Sequence, residues 1–88
     1  MRHVRLVREK ALARKHLERA QREADAWDVL YQRGESRPLE VVEALGLRAR
    51  KLQRVTAALG RLVLRGAATV EVRRDLRTGL DHAYYRAR

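Results

Sequence analysis

The sequence predicts a mainly α-helical domain closed by a small β-hairpin, an α+β fold. Three observations carry that prediction. Apolar residues recur at helical spacing in three segments before residue 66. A glycine (Gly34, Gly46, Gly66) follows each segment. From Ala68 the period changes to alternation of apolar and polar residues. At 88 residues the chain has the length of one domain. We expect a single unit over 1–88, with 1–25 as an N-terminal helical extension and 26–88 as the core.

Residues 8–33 are expected as one long helix. Ala13, Leu17, Ala20, Ala24, Trp27 and Tyr31 stand alternately four and three apart, which makes one continuous stripe. Its N-terminal part is mostly alanine and too thin for a private core. It either packs on a second copy of itself or is a solvated extension. Trp27, Leu30 and Tyr31 are expected to enter the domain core. After the connection 35–37, Pro38 suits a first helical turn, Ser36 is a candidate cap, and Glu40 is an acid near the positive helix end. Leu39, Val42 and Leu45 give this second helix its apolar face.

A third helix is expected over 48–65. Leu52, Val55, Leu59 and Leu62 form its buried stripe, and Arg50, Arg54, Ala57, Arg61 and Arg65 run opposite. Gly60 inside it should cost about 1 kcal/mol relative to alanine. With Ala57 and Ala58 it marks either a close approach of another backbone or a kink. Ala68–Arg73 then reads as a half-buried strand, Asp75–Gly79 as a hairpin loop and Leu80–Arg86 as the return strand. Tyr84 and Tyr85 are adjacent, so only one of them can face the core.

Charge is the strongest functional signal. Lysine and arginine number 21 against 11 acids, a formal charge of +10. It is unevenly placed: residues 1–22 carry eight basic and two acidic groups, residues 23–47 two basic and six acidic, and residues 48–88 eleven basic and three acidic. A surface evolved only for solubility would intersperse the signs. The excess points to a polyanionic partner, nucleic acid first and an anionic membrane surface second.

Other chemistries find little material. There is no cysteine, hence no disulfide, thiolate metal site or thiol nucleophile. The three histidines (His3, His16, His82) have no metal-ligand spacing, and the acidic groupings Asp25/Asp28, Glu40/Glu43 and Asp75/Asp81 read as solvated faces with no nucleophile beside them. No enzymatic activity, cofactor or metal is expected. The apolar runs are too short for a membrane span and the N-terminus lacks a signal-peptide apolar region, so a cytoplasmic protein is expected.

The order of elements resembles the winged helix-turn-helix family, as in MarR-type and ArsR-type regulators. The residues that carry the resemblance are Val42-Glu43-Ala44-Leu45-Gly46-Leu47, then Val55, Leu59, Leu62 and Gly66, then the hairpin around Gly79, over about residues 26–86. Arg48 and Ala49 stand where the family usually has Ser or Thr. The resemblance implies that the helix after the Gly-Leu turn enters the DNA major groove and that the hairpin, the wing, lies on the backbone or minor groove.

Physical chemistry supports the same assignment: a helix fits the major groove, and an arginine fork on guanine is worth about 1–3 kcal/mol of discrimination. Arg50, Lys51, Gln53 and Arg54 are the candidates for the groove, Arg48 and Arg61 for phosphates, and Arg73, Arg74 and Arg77 for clamping the flanking backbone. The expected function is double-stranded DNA binding in transcription regulation, as a homodimer through the N-terminal helix reading half-sites about 10 bp apart. A protein partner in the transcription machinery would be bound by the wing or the first helix, an idea that the acidic block fits. The alternatives are a phage or plasmid replication, packaging or excision factor, and an RNA-binding or ribosome-associated protein.

Overall fold

The computed structural model describes the chain from Arg2, with side chains from Arg8 onward. Helix α1 (Arg2–Arg33) is followed by α2 (Pro38–Ala44), a 3₁₀ turn (Ala49–Lys51), α3 (Leu52–Leu64), and strands β1 (Ala68–Arg74) and β2 (Asp81–Ala87). The fold is thus mainly α with a two-stranded antiparallel hairpin, as expected.

The aliphatic spacing of α3 does what it predicts. Val55, Leu59 and Leu62 are buried against Ala26, Val29 and Leu30 of α1 and Val41 and Val42 of α2. Ala68 and Tyr85 close the core from the hairpin. Burying each such aliphatic side chain is worth about 1.5–3 kcal/mol. In the hairpin Val70 pairs with Tyr85 and Glu71 with Tyr84, so the two tyrosines point to opposite faces and Tyr85 is the core one. The turn is closed by Gly79, whose φ of 71° is the left-handed conformation that glycine adopts without strain.

Ser36 joins this sheet rather than capping α2. Its N–H donates to the Tyr85 carbonyl at 2.9 Å and its carbonyl accepts from the Tyr85 N–H at 2.8 Å, so one residue serves as a third strand beside β2. Its hydroxyl donates to the Gly34 carbonyl at 3.1 Å. The cap of α2 is Arg37, whose N–H donates to the Glu40 carboxylate at 3.0 Å. Backbone pairing places Ser36 one residue too early for the cap.

Three further expectations change. Tyr31 lies outside the core, 70% exposed, with its ring stacked on Trp27 at 5.1 Å. The residues of α1 that pack inward are Glu23, Ala26, Val29 and Leu30, a stripe turned well away from the Ala13–Tyr31 row. Leu39 is also exposed, because α2 turns Val41 and Val42 inward instead. The third helix begins with the 3₁₀ turn and only becomes α at Leu52. Gly60 has the dihedral angles of an ordinary helical residue, and a methyl group added there would meet nothing within 4 Å. No other backbone approaches it.

Among the described side chains of α1, only those of its second half contribute to the core. Its residues 8–20 are all exposed, so α1 stands out from the domain and the molecule measures 58 × 25 × 22 Å. Trp27 anchors the inner half, donating its indole N–H to the Ala67 carbonyl at 3.1 Å, where the chain turns from α3 into β1.

Candidate nucleic-acid interface

Five of the residues singled out in the sequence converge at the start of α3. Arg48 precedes the 3₁₀ turn, Arg50 and Lys51 lie in it, and Gln53 and Arg54 occupy the first turn of the α-helix. All are exposed except Lys51, which is half-buried. Among the described residues no carboxylate forms an ion pair with Arg48, Arg50, Lys51 or Arg54. The crowding is felt by Lys51, whose ammonium is held below the usual lysine range. The main cause is the Arg54 charge, followed by loss of hydration and then Arg50 and Arg22; Glu18 works in the opposite direction.

Arg22 belongs to α1, and its presence there shows that the basic surface has a second wall. Lys15, Glu18, Arg19 and Arg22 of α1 face Gln53, Arg54, Ala57 and Arg61 of α3 across an open cleft of about 430 Å³. Five of these eight side chains are cationic, one is acidic, and only Ala57 is apolar. Such a lining favours a flexible chain of phosphates over a compact apolar ligand. Sequence reasoning missed Lys15, Arg19 and Arg22. Their signal is the spacing of four and three, which sets them on one helical face, the same face that lower down packs against α3.

The row on α3 does not remain free along its whole length. Arg61, expected at a phosphate, is half-buried, and its Nε donates to the Glu23 carboxylate at 2.9 Å. Arg65 approaches the other oxygen of Glu23 at 2.6 Å. Glu23 is buried, so the Arg61 hydrogen bond and the charges of both guanidinium groups compensate its loss of water. The free cations are therefore concentrated at the N-terminal end of the row, and its C-terminal end is used to fix α3 to α1.

The wing divides in the same way. Arg73 donates to both oxygens of Glu35 at 2.6 and 2.7 Å and to Glu71 at 2.7 Å, and its guanidinium lies 4.5 Å from the centre of the Tyr84 ring. The Arg73 hydrogen bond holds the Glu35 carboxyl below its ordinary range, helped by the charges of Arg73 and Arg86 and opposed by burial and by Glu71. A separate hydrogen bond from Arg73 to Glu71, then the Arg73 charge, lowers Glu71. Reciprocally, the Glu71 and Glu35 hydrogen bonds raise Arg73 further into its charged form. Arg73 thus ties the hairpin to the loop before α2, and Arg74 pairs with Asp81 at 3.3 Å. Arg77, at the tip, is exposed and forms no ion pair among the described residues; its backbone N–H donates to the Asp75 carboxylate at 2.8 Å.

Two further structural facts bear on the site. Among the described residues no three His, Cys, Asp or Glu side chains are grouped so as to hold a metal ion. No described helix is long and apolar enough to cross a membrane. No family model matches the chain, and no curated protein matches it.

Proposed function

We propose that the protein binds double-stranded DNA, with the start of α3 in the major groove, α1 along the adjacent phosphates and the hairpin tip on the flanking backbone. The observation that carries this reading is the segregation of the cations. Arg61, Arg65, Arg73, Arg74 and Arg86 all have acids of their own chain within ion-pair distance, whereas among the described residues Arg48, Arg50, Lys51 and Arg54 have none, and the charges of Arg54 and Arg50 bear on Lys51. A fold that pairs some arginines with acids and crowds others that lack an ion-pair partner gains from an external polyanion at the crowded place.

The arrangement of three helices, a one-residue strand and a hairpin supports a winged-helix reading, in which such a helix and wing are the gripping parts. Regulation of transcription in the cytoplasm follows as the role of a small site-specific binder that acts by occupying its site. A second copy bound through α1 would supply the second half-site.

Fluorescence anisotropy with duplex DNA, single-stranded DNA and duplex RNA of the same sequence tests this. Tightest binding to duplex DNA is expected, with affinity falling steeply as salt rises. Preference for duplex RNA would transfer the protein to the ribosome-associated class. Equal, weak binding to all three would end the nucleic-acid reading.

A further inference from the structure

Of the row Ala13, Leu17, Ala20, Ala24, Trp27 and Tyr31, the fold leaves all but Trp27 exposed, and Trp27 is half-buried against the core. Leu17 is 71% exposed and Tyr31 70%, although both lie on a continuous apolar stripe. The stripe runs over 18 residues, about 27 Å of helix. Beside it is a groove of about 370 Å³ in which Ala20, Ala24 and Trp27 of α1 meet Leu62 and Ala67, with Glu23, Asp28 and Arg65 also in its lining. Spacings of four and three sustained over five intervals are those of a coiled-coil seam, not of a helix laid on a globular core.

We propose that this stripe is covered by the α1 helix of a second copy of the chain, running antiparallel. The direction follows from charge. Within the stripe, residues 13–22 carry Arg14, Lys15, Arg19 and Arg22 against the one acid Glu18, and residues 23–31 carry Glu23, Asp25 and Asp28 with no base. A parallel pair sets the two basic arms side by side. An antiparallel pair lays each basic arm along the acidic segment of the other chain.

The register follows from the stripe itself. Its midpoint is at residue 22, so Ala13 meets the second copy's Tyr31, Leu17 meets its Trp27, and Ala20 meets its Ala24. Each large side chain then faces a smaller one, and the alanines at the centre let the helices come close. Leu17 enters the groove beside Trp27, and Arg14 comes opposite the second copy's Asp28. This pairing does not depend on the proposed nucleic-acid binding, and its test contains no nucleic acid.

Sedimentation equilibrium of the full chain from low to high micromolar concentration should give the mass of two chains. Leu17→Glu, at a position outside the domain core, should weaken the dimer at least about tenfold, the loss of one well-packed aliphatic contact. A single-chain mass for the unmodified protein throughout, or an unchanged constant in Leu17→Glu, overturns the pairing.

Direction is read by cysteine cross-linking, since the chain has no cysteine of its own. Chains with Ala13→Cys and chains with Tyr31→Cys are oxidised separately and mixed. Antiparallel pairing gives disulfide-linked dimers only in the mixture, because like positions are then about 27 Å apart. Dimers linked within either pure sample, or none in the mixture, overturn the antiparallel register.

Discussion

The arginines of this chain differ less in exposure than in what stands beside them. Arg54 lines the cleft and forms no ion pair among the described residues; Arg61, two turns further along α3, is held by Glu23. Their alanine variants should therefore separate cleanly. Arg54→Ala should lower duplex affinity and relax base preference while leaving the melting temperature unchanged. Arg61→Ala should cost about 1 kcal/mol of stability, because Arg65 still balances Glu23. Removing Arg61 and Arg65 together should cost about 3 kcal/mol or more, since a buried carboxylate is then left unpaired. Urea denaturation and anisotropy on the same three proteins check this. Loss of affinity without loss of stability in Arg61→Ala would place Arg61 at the ligand instead.

The Glu35 and Glu71 carboxyls carry a pH prediction. Both are held below their ordinary range, chiefly by the Arg73 hydrogen bond. A carboxyl depressed in the folded state stabilises fully above its unfolded value and loses that contribution as pH falls through the folded one. The attachment of the hairpin should accordingly weaken below about pH 4. Melting followed from neutral to acid pH should show the decline, and Glu35→Gln should flatten it. An equally steep decline in that variant would remove the attribution to Glu35.

At the level of elements, Gly60 gives a direct test of α3. Nothing lies within 4 Å of the place a methyl group would take, and its φ is not positive. Gly60→Ala should stabilise the domain by up to about 1 kcal/mol through helix propensity alone. A thermal melt shifted downward would reveal a packing constraint that the isolated chain does not contain. The α3 elements were legible because branched aliphatics at three, four and three admit only one helical face. The same reasoning found the hairpin, from alternation and Gly79.

It misplaced Tyr31 because α1 has two stripes. The more apolar one is exposed, while the one that packs includes Glu23, whose burial depends on two arginines 38 and 42 positions away. No local period encodes that pairing. The same holds for the site: the cations at the start of α3 were visible as a cluster, but the second wall at Lys15, Arg19 and Arg22 requires knowing which face of α1 meets α3. Likewise Arg73 reads in sequence as a free tip residue and is bound to Glu35 only because Ser36 pairs with β2.

For the molecule as a whole, a charge of +10 on 88 residues makes ionic strength the governing variable. The slope of log affinity against log salt should be several units, and replacing Lys15, Arg19 and Arg22 by alanine together should reduce it by about three. An unchanged slope would leave the cleft outside the interface. Saturating duplex should also raise the melting temperature, since binding to the folded state alone stabilises it.

The chain has one tryptophan, and the fold has put it at a junction. Its indole hydrogen-bonds the turn into β1, its face lies against Tyr31, and its edge lines the open groove along α1. The protein thus has an intrinsic optical reporter. Emission that shifts to the blue as the solution is concentrated would register the groove being covered, with no label attached and no residue replaced.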